Sequence, residues 1–248
     1  MAKTVLITGG SQGIGKATAI LLAQQGYTVA VNYAQNTLAA DETVTQILAC
    51  GGHAFAIQAD ISDEAAVVQL FRQLDEQCGY LDALVNNAAI IEPQMKVADM
   101  TAERITRVLS TNVLGSFLCA REAVKRMSTA SGGTGGAIVN VSSIAARIGS
   151  PFEYVDYAAS KGAIDTFTMG LSKEVAAEGI RVNAVRPGII FTDIHAKAGE
   201  PGRVSRLEGS VPMLRGGQPE EIAQAILWLL SDEASYVTGA LVDVSGGR

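Results

Sequence analysis

Histidine is nearly absent from this chain, and no grouping of metal ligands replaces it. His53 and His195 are the only two. They lie far apart, and no cysteine or carboxylate cluster completes a ligand set around either, so no metal site is expected. Lone histidines are usually structural or exposed, and a substrate contact by His195 is the minority reading. Cysteine is also scarce: Cys50, Cys78 and Cys119 are odd in number and lack CxxC spacing. That pattern excludes a disulfide scaffold and reads as free thiols in a reducing, cytoplasmic compartment. Cys119, inside a helical stretch, reads as a small core residue. Basic charge is not in excess. The formal charge of −6 and pI near 5.0 argue against nucleic acid and anionic membrane surfaces. No run reaches the roughly 18 apolar residues of a membrane span. Met1-Ala2-Lys3-Thr4 passes straight into a strand without the apolar core of a signal peptide. A soluble cytoplasmic protein is expected.

What is present suffices for a sizeable core. The 248 residues are 48% hydrophobic and 18% charged, which suits one α/β domain over 1–248. Apolar runs predict strands at Val5–Ile7, Thr28–Val31, Ala54–Ile57, Leu81–Val85, Ile138–Val141, Arg181–Val185 and Leu241–Val244. Helical periodicity predicts helices at 16–25, 38–48, 63–77, 102–114, 116–127, from Tyr157 onward, and at 220–230. This alternation is the signature of a doubly wound α/β fold, a parallel sheet of about seven strands with helices on both faces. Pro187-Gly188 is expected to stop the sixth strand. Residues 192–217 lose all periodicity and read as a lid that orders on binding.

Two constellations carry chemistry. Thr8-Gly9-Gly10-Ser11-Gln12-Gly13-Ile14-Gly15 joins the first strand to the first helix. Gly9 and Gly10 permit a tight turn, while Gly13 and Gly15 remove side chains, so amides at the helix start can hold a pyrophosphate. The spacing is GxxxGxG rather than GxGxxG, and its place after an apolar strand favours a nucleotide over a purely structural turn. Tyr157 and Lys161, four residues apart, lie on one helical face. An ammonium beside a phenol favours phenolate and should pull the tyrosine pKa from about 10 toward neutrality. A lone YxxxK is more often an ordinary surface pair, so its weight comes from company.

That company is Thr8-Gly9-x3-Gly13-Ile14-Gly15, Asn86-Asn87-Ala88, Asn112, Ser143, Tyr157-x3-Lys161 and Pro187-Gly188-x3-Thr192, in that order. The chain resembles the short-chain dehydrogenase/reductase family in its single-domain form. The resemblance implies a seven-stranded Rossmann domain, hydride transfer with a nicotinamide cofactor, a small carbonyl or alcohol substrate, and a homotetramer. It makes Tyr157 the general acid/base. Lys161 would lower the tyrosine pKa and hold the nicotinamide ribose, Ser143 bond the substrate carbonyl, and Asn112 anchor a water of the proton relay. Ser142 is adjacent, but the motif takes the second serine. The gap from Ser143 to Tyr157 is fourteen rather than thirteen, which places one extra residue around 150–153. Tyr154 is set aside, because Ala158 stands four residues later.

For the cofactor, the resemblance implies Gly9, Ser11, Gln12, Gly13, Ile14 and Gly15 at the phosphates, and Asp60 with Ile61 at the adenine. A helix cap near Ser62 is the alternative for Asp60. Asn87 and Ala88 support the adenosine end, where Ala89 replaces the usual glycine. Pro187, Gly188, Ile190 and Thr192 close over the nicotinamide amide. Asn32 and Tyr33 end the second strand in Asn32-Tyr33-Ala34-Gln35-Asn36, with neither the acid that favours NAD nor a base that favours NADP. Without a carboxylate nothing repels a 2′-phosphate, so NADP is the expected cofactor and NAD the alternative. The expected reaction interconverts a carbonyl and a secondary alcohol on a small polar, sugar-like substrate. A 3-oxoacyl carrier-protein reductase is the alternative, for which Arg121, Lys125 and Arg126 could form a basic patch. A dinucleotide sensor without catalysis would be expected to have lost Ser143, Tyr157 or Lys161.

Overall fold

Short apolar runs become strands buried on both faces, and the amphipathic stretches between them become the helices that bury them. A computed structural model describes residues 2–248. Its strands are β1 (Thr4–Ile7), β2 (Thr28–Tyr33), β3 (His53–Gln58), β4 (Ala83–Asn86), β5 (Gly136–Val141), β6 (Ile180–Pro187) and β7 (Leu241–Val244). All pair in parallel in one sheet, ordered β3-β2-β1-β4-β5-β6-β7. The order reverses between β1 and β4, where a doubly wound sheet opens a crevice at its carboxyl edge.

The helices are α1 (Gly13–Gln24), α2 (Thr37–Ala49), α3 (Glu64–Cys78), α4 (Ala102–Leu109), α5 (Gly115–Met127), α6 (Ala145–Ile148), α7 (Val155–Val175), α8 (Ile194–Lys197), α9 (Arg203–Leu207) and α10 (Pro219–Leu230). Alternation along each strand divides the core. Val5, Ile7, Val29 and Val31 pack with α1, α2 and α10 through Leu22, Ile47 and Ile226. Leu6, Ala30 and Ile138 turn to the other face, against Phe71 of α3, Met127 of α5 and Val175 of α7. Each large apolar side chain so buried contributes about 2 kcal/mol. Among the described residues, no helix is long and apolar enough to cross a membrane.

Three expectations need correction. The segments predicted at 102–114 and 116–127 join through a π-helical turn at Ser110–Leu114. Glycine fits at position 115 because a Cβ there would lie 2.7 Å from Ile61 side-chain carbons. β6 continues through Pro187, whose carbonyl accepts from Ile144 N at 3.0 Å; a proline at the last position of a strand gives up only one donor. The aperiodic segment 192–217 is not without secondary structure, for it carries α8, α9 and a 3-10 turn at Glu208–Ser210. What fixes it is ionic. Arg203, only 6% exposed, bonds Glu153 (2.5 Å) and Glu200 (2.9 Å) and lies 4.8 Å over the Tyr154 ring. Arg206 bonds the same two carboxylates.

Candidate active site

The glycine turn sits at the reversal of strand order. Thr8 braces it: its hydroxyl oxygen accepts from Asn87 N and Ala88 N, both at 3.0 Å. Asn87 Nδ2 donates back to the carbonyls of Thr8 (2.9 Å) and Gly9 (3.0 Å). Gly9 and Gly13 have φ of +61° and +51°, the left-handed region that glycine enters without strain. A Cβ on Gly15 would lie 2.6 Å from Asn87 Nδ2, and one on Gly13 would lie 3.2 Å from Thr192 Cγ2 across the cleft. Bare backbone at a helix start is what a pyrophosphate needs, so these residues fit a dinucleotide.

A cleft of about 890 Å³ runs from this turn. Ser11, Gln12, Ile14, Tyr33, Asp60, Ile61, Ala88, Pro187, Gly188, Ile190 and Thr192 line it, as do Ser143, Tyr157 and Lys161. Asn32 also borders the cleft, but its side chain is committed to the fold. Nδ2 donates to Ala59 O (3.0 Å) and Ile57 O (3.3 Å), and Oδ1 accepts from Gly9 N (3.4 Å). Asp60 accepts from Ser62 N and Oγ at 2.9 and 2.7 Å, so its carboxylate caps a local turn.

The two serines separate cleanly. Ser142 Oγ donates to the Lys161 carbonyl (3.1 Å), whereas Ser143 lines the cleft beside Tyr157, near enough for its hydroxyl to favour the phenolate. Lys161 Nζ donates to Val141 O at 2.8 Å and stands 5.6 Å from the Tyr157 ring centroid. Asn112, in the π-helical turn, accepts from Ile90 N (2.8 Å) and donates to Ile90 O (2.9 Å) and Ser160 Oγ (3.1 Å). It thereby fixes the strand-four loop beside the helix that carries Tyr157. In the turn before that helix Ser150 and Phe152 are both left-handed without being glycine (φ 43° and 66°).

The electrostatics reverse one expectation. Burial pushes the Tyr157 phenol up to about 12, and only the Ser143 hydroxyl pulls it down. Lys161 is 3% exposed. Burial lowers its ammonium to about 8, with the Asp165 charge acting the other way. The cation that was to acidify the phenol is itself desolvated and turned onto a carbonyl. Asp165 is in turn held by Arg186 through Nε (2.9 Å) and Nη2 (2.8 Å).

Comparison with known proteins agrees with this geometry. A family model described as enoyl-(acyl carrier protein) reductase matches residues 9–248. An uncharacterized oxidoreductase of Escherichia coli K12 is 66% identical, over 98% of each chain. A 3-oxoacyl-[acyl-carrier-protein] reductase of Synechocystis is 40% identical over 99% of this chain and 96% of its own. Glucose 1-dehydrogenase 2 of Bacillus subtilis is 39% identical over 99% and 94%. A crystal structure of a short-chain type dehydrogenase/reductase from Mycobacterium marinum superposes with a TM-score of 0.92 at 34% identity, covering 99% of this chain and 94% of that one. The chain belongs to the short-chain dehydrogenase/reductase family.

As a short-chain dehydrogenase/reductase it is an NAD(P)-dependent oxidoreductase. One residue of its cleft, and an ion pair beside Tyr157, escaped the sequence reading. Tyr154, set aside there, is 1% exposed and lines the cleft one turn before Tyr157. Its i, i+3 spacing to Tyr157 was the available signal. Arg104 on α4 bonds Asp156 through Nε–Oδ2 (2.7 Å) and Nη2–Oδ1 (3.4 Å), and donates to Pro93 O (2.5 Å). Asp156 Oδ1 also accepts from Tyr157 N at 2.9 Å. No local pattern announces a pair 52 residues apart.

Proposed function

We propose that this chain is an NADP-preferring reductase that interconverts a carbonyl and a secondary alcohol on a small polar substrate. The observation that carries the reading is that Ser143, Tyr157 and Lys161 line the same cleft as the glycine cradle. The nicotinamide, when bound, supplies or receives the hydride. Ser143 positions the substrate oxygen and stabilises the charge that develops on it. Tyr157 delivers the proton to that oxygen. A phenol near 12 is fully protonated at neutral pH, as a donor in the reductive direction must be. Lys161, near 8, can restore that proton close to working pH. Gly9, Gly13 and Gly15 would hold the pyrophosphate, and Ile190 and Thr192 would border the nicotinamide.

NADP is supported by the end of β2, where Tyr33, Ala34, Gln35 and Asn36 border the cleft without a carboxylate. Asp60, the acid at this end, is bonded to Ser62. A small substrate is favoured over an acyl carrier protein because Arg121, Lys125 and Arg126 do not form an open basic patch. Each is paired, with Glu64, Glu122 or Asp75. The net charge of −6 likewise disfavours an acidic partner. The same reading treats 1–248 as one dinucleotide-binding domain in the cytoplasm, where the free cysteines stay reduced. It also takes the protein to be a homotetramer, for which exposed Leu114, Phe117 and Met169 offer apolar surface. Oxidation of NADPH and NADH against a panel of small carbonyls tests the proposal. Faster turnover with NADPH and a hydroxylated carbonyl supports it, and turnover of none by either cofactor withdraws it.

A further inference from the structure

Buried polar atoms almost always find partners, so those that do not call for an explanation. Among the described residues six buried side-chain atoms have none: Thr4 Oγ1, Asn86 Oδ1, Tyr154 Oη, Asp165 Oδ1, His195 Nδ1 and Arg248 Nη1. Three of these residues, Tyr154, His195 and Arg248, line the cleft of about 890 Å³. Tyr154 and His195 are further linked. Tyr154 caps the start of α7 three residues before Tyr157, and both side chains line the cleft. Arg203 lies 4.8 Å over the Tyr154 ring and is close enough to His195 for its charge to be felt there. Glu153 and Glu200 fix that guanidinium, so the wall is built rather than loose.

The chemistry of the two orphan atoms is specific. His195 Nδ1 is buried without a partner, and an imidazole nitrogen donates or accepts according to the tautomer. Tyr154 Oη can donate and accept. A hydroxyl, which both donates and accepts, satisfies either atom in either imidazole tautomer, in the cleft that Tyr157 also lines. A plain acyl chain would leave both atoms unpaired.

We propose that Tyr154 and His195 are specificity-determining residues that read a hydroxyl on the substrate away from its reacting carbonyl, so that the substrate class is hydroxylated carbonyl compounds. This rests on the reductase reading of the same cleft. Four substrates of one carbon skeleton test it: butan-2-one, 1-hydroxybutan-2-one, 4-hydroxybutan-2-one and erythrulose. The readout is the ratio of kcat/KM for each hydroxylated ketone to that for butan-2-one, taken within one enzyme. That ratio cancels any general loss of rate in a variant. The wild-type ratio for at least one hydroxylated ketone is expected to fall about tenfold in Tyr154→Phe and in His195→Ala, which is about 1.4 kcal/mol. His195→Gln, which can donate or accept, should recover part of it. Tyr154→Phe keeps the ring beneath Arg203; should it not fold, His195→Ala on the short helix α8 decides the question. Ratios unchanged in both variants, with wild-type activity intact, overturn the hydroxyl reading alone. A wild-type enzyme that oxidises neither NADPH nor NADH with any of the four overturns the reductase reading beneath it.

Discussion

Replacing Lys161 with methionine should stabilise the cofactor-free protein at neutral pH while ending its chemistry. The buried ammonium falls from 10.5 to about 8, and at 1.36 kcal/mol per pKa unit this charging penalty is about 3 kcal/mol. Methionine removes it and fills a similar volume, but deprives Val141 O of its 2.8 Å donor, a loss of about 1 kcal/mol. The net gain is therefore about 2 kcal/mol. The sign has a pH signature. The folded value lies below the unfolded one, so the unfolded chain binds the proton more tightly, and wild-type stability rises between pH 8 and 10.5. Below that window the penalty is felt in full, and above it not at all. Urea unfolding of both proteins, without cofactor and at one protein concentration, should show Lys161→Met the more stable at pH 7. The difference should shrink by about 2 kcal/mol at pH 10. A variant less stable than wild type at pH 7, or a difference equal at both pH values, would refute the reasoning.

Gly15→Ala drives a methyl to 2.6 Å from Asn87 Nδ2. At about 1–3 kcal/mol for such overpacking, NADPH affinity by fluorescence titration should fall tenfold or more. Gly170→Ala is its control: a Cβ there meets nothing within 4 Å, so unfolding should show a gain of about 0.5–1 kcal/mol from helix propensity. Arg104→Ala leaves Asp156 charged and buried beside Tyr157 N, and should cost about 3–5 kcal/mol by denaturant midpoint. The double change Arg104→Met with Asp156→Leu should recover most of that loss.

The sheet could be read from the sequence because each strand is a short apolar run and each following helix carries its own stripe. Local chemistry announces them. The glycine turn and the Tyr157–Lys161 pair were proposed from turn geometry and helical spacing, whereas Ser143 was singled out by the family resemblance. What the sequence hid depends on distance. Arg203 orders the 192–217 segment by reaching Glu153, 50 residues away, and no periodicity reports such a pair. The acidified phenol was misjudged because spacing puts Lys161 beside Tyr157 but says nothing of burial, which dominates both groups. Gly115, left between the helices predicted at 102–114 and 116–127, marks close approach to Ile61, a requirement visible only in three dimensions.

The proton source is the centre of the account, and Tyr157→Phe isolates it by removing one oxygen atom. With the preferred carbonyl and NADPH, kcat should drop by about 10²–10⁴-fold, while the Kd for NADPH stays within a few-fold of wild type. A phenylalanine enzyme that reduces the carbonyl at the wild-type rate would show that the proton comes from elsewhere.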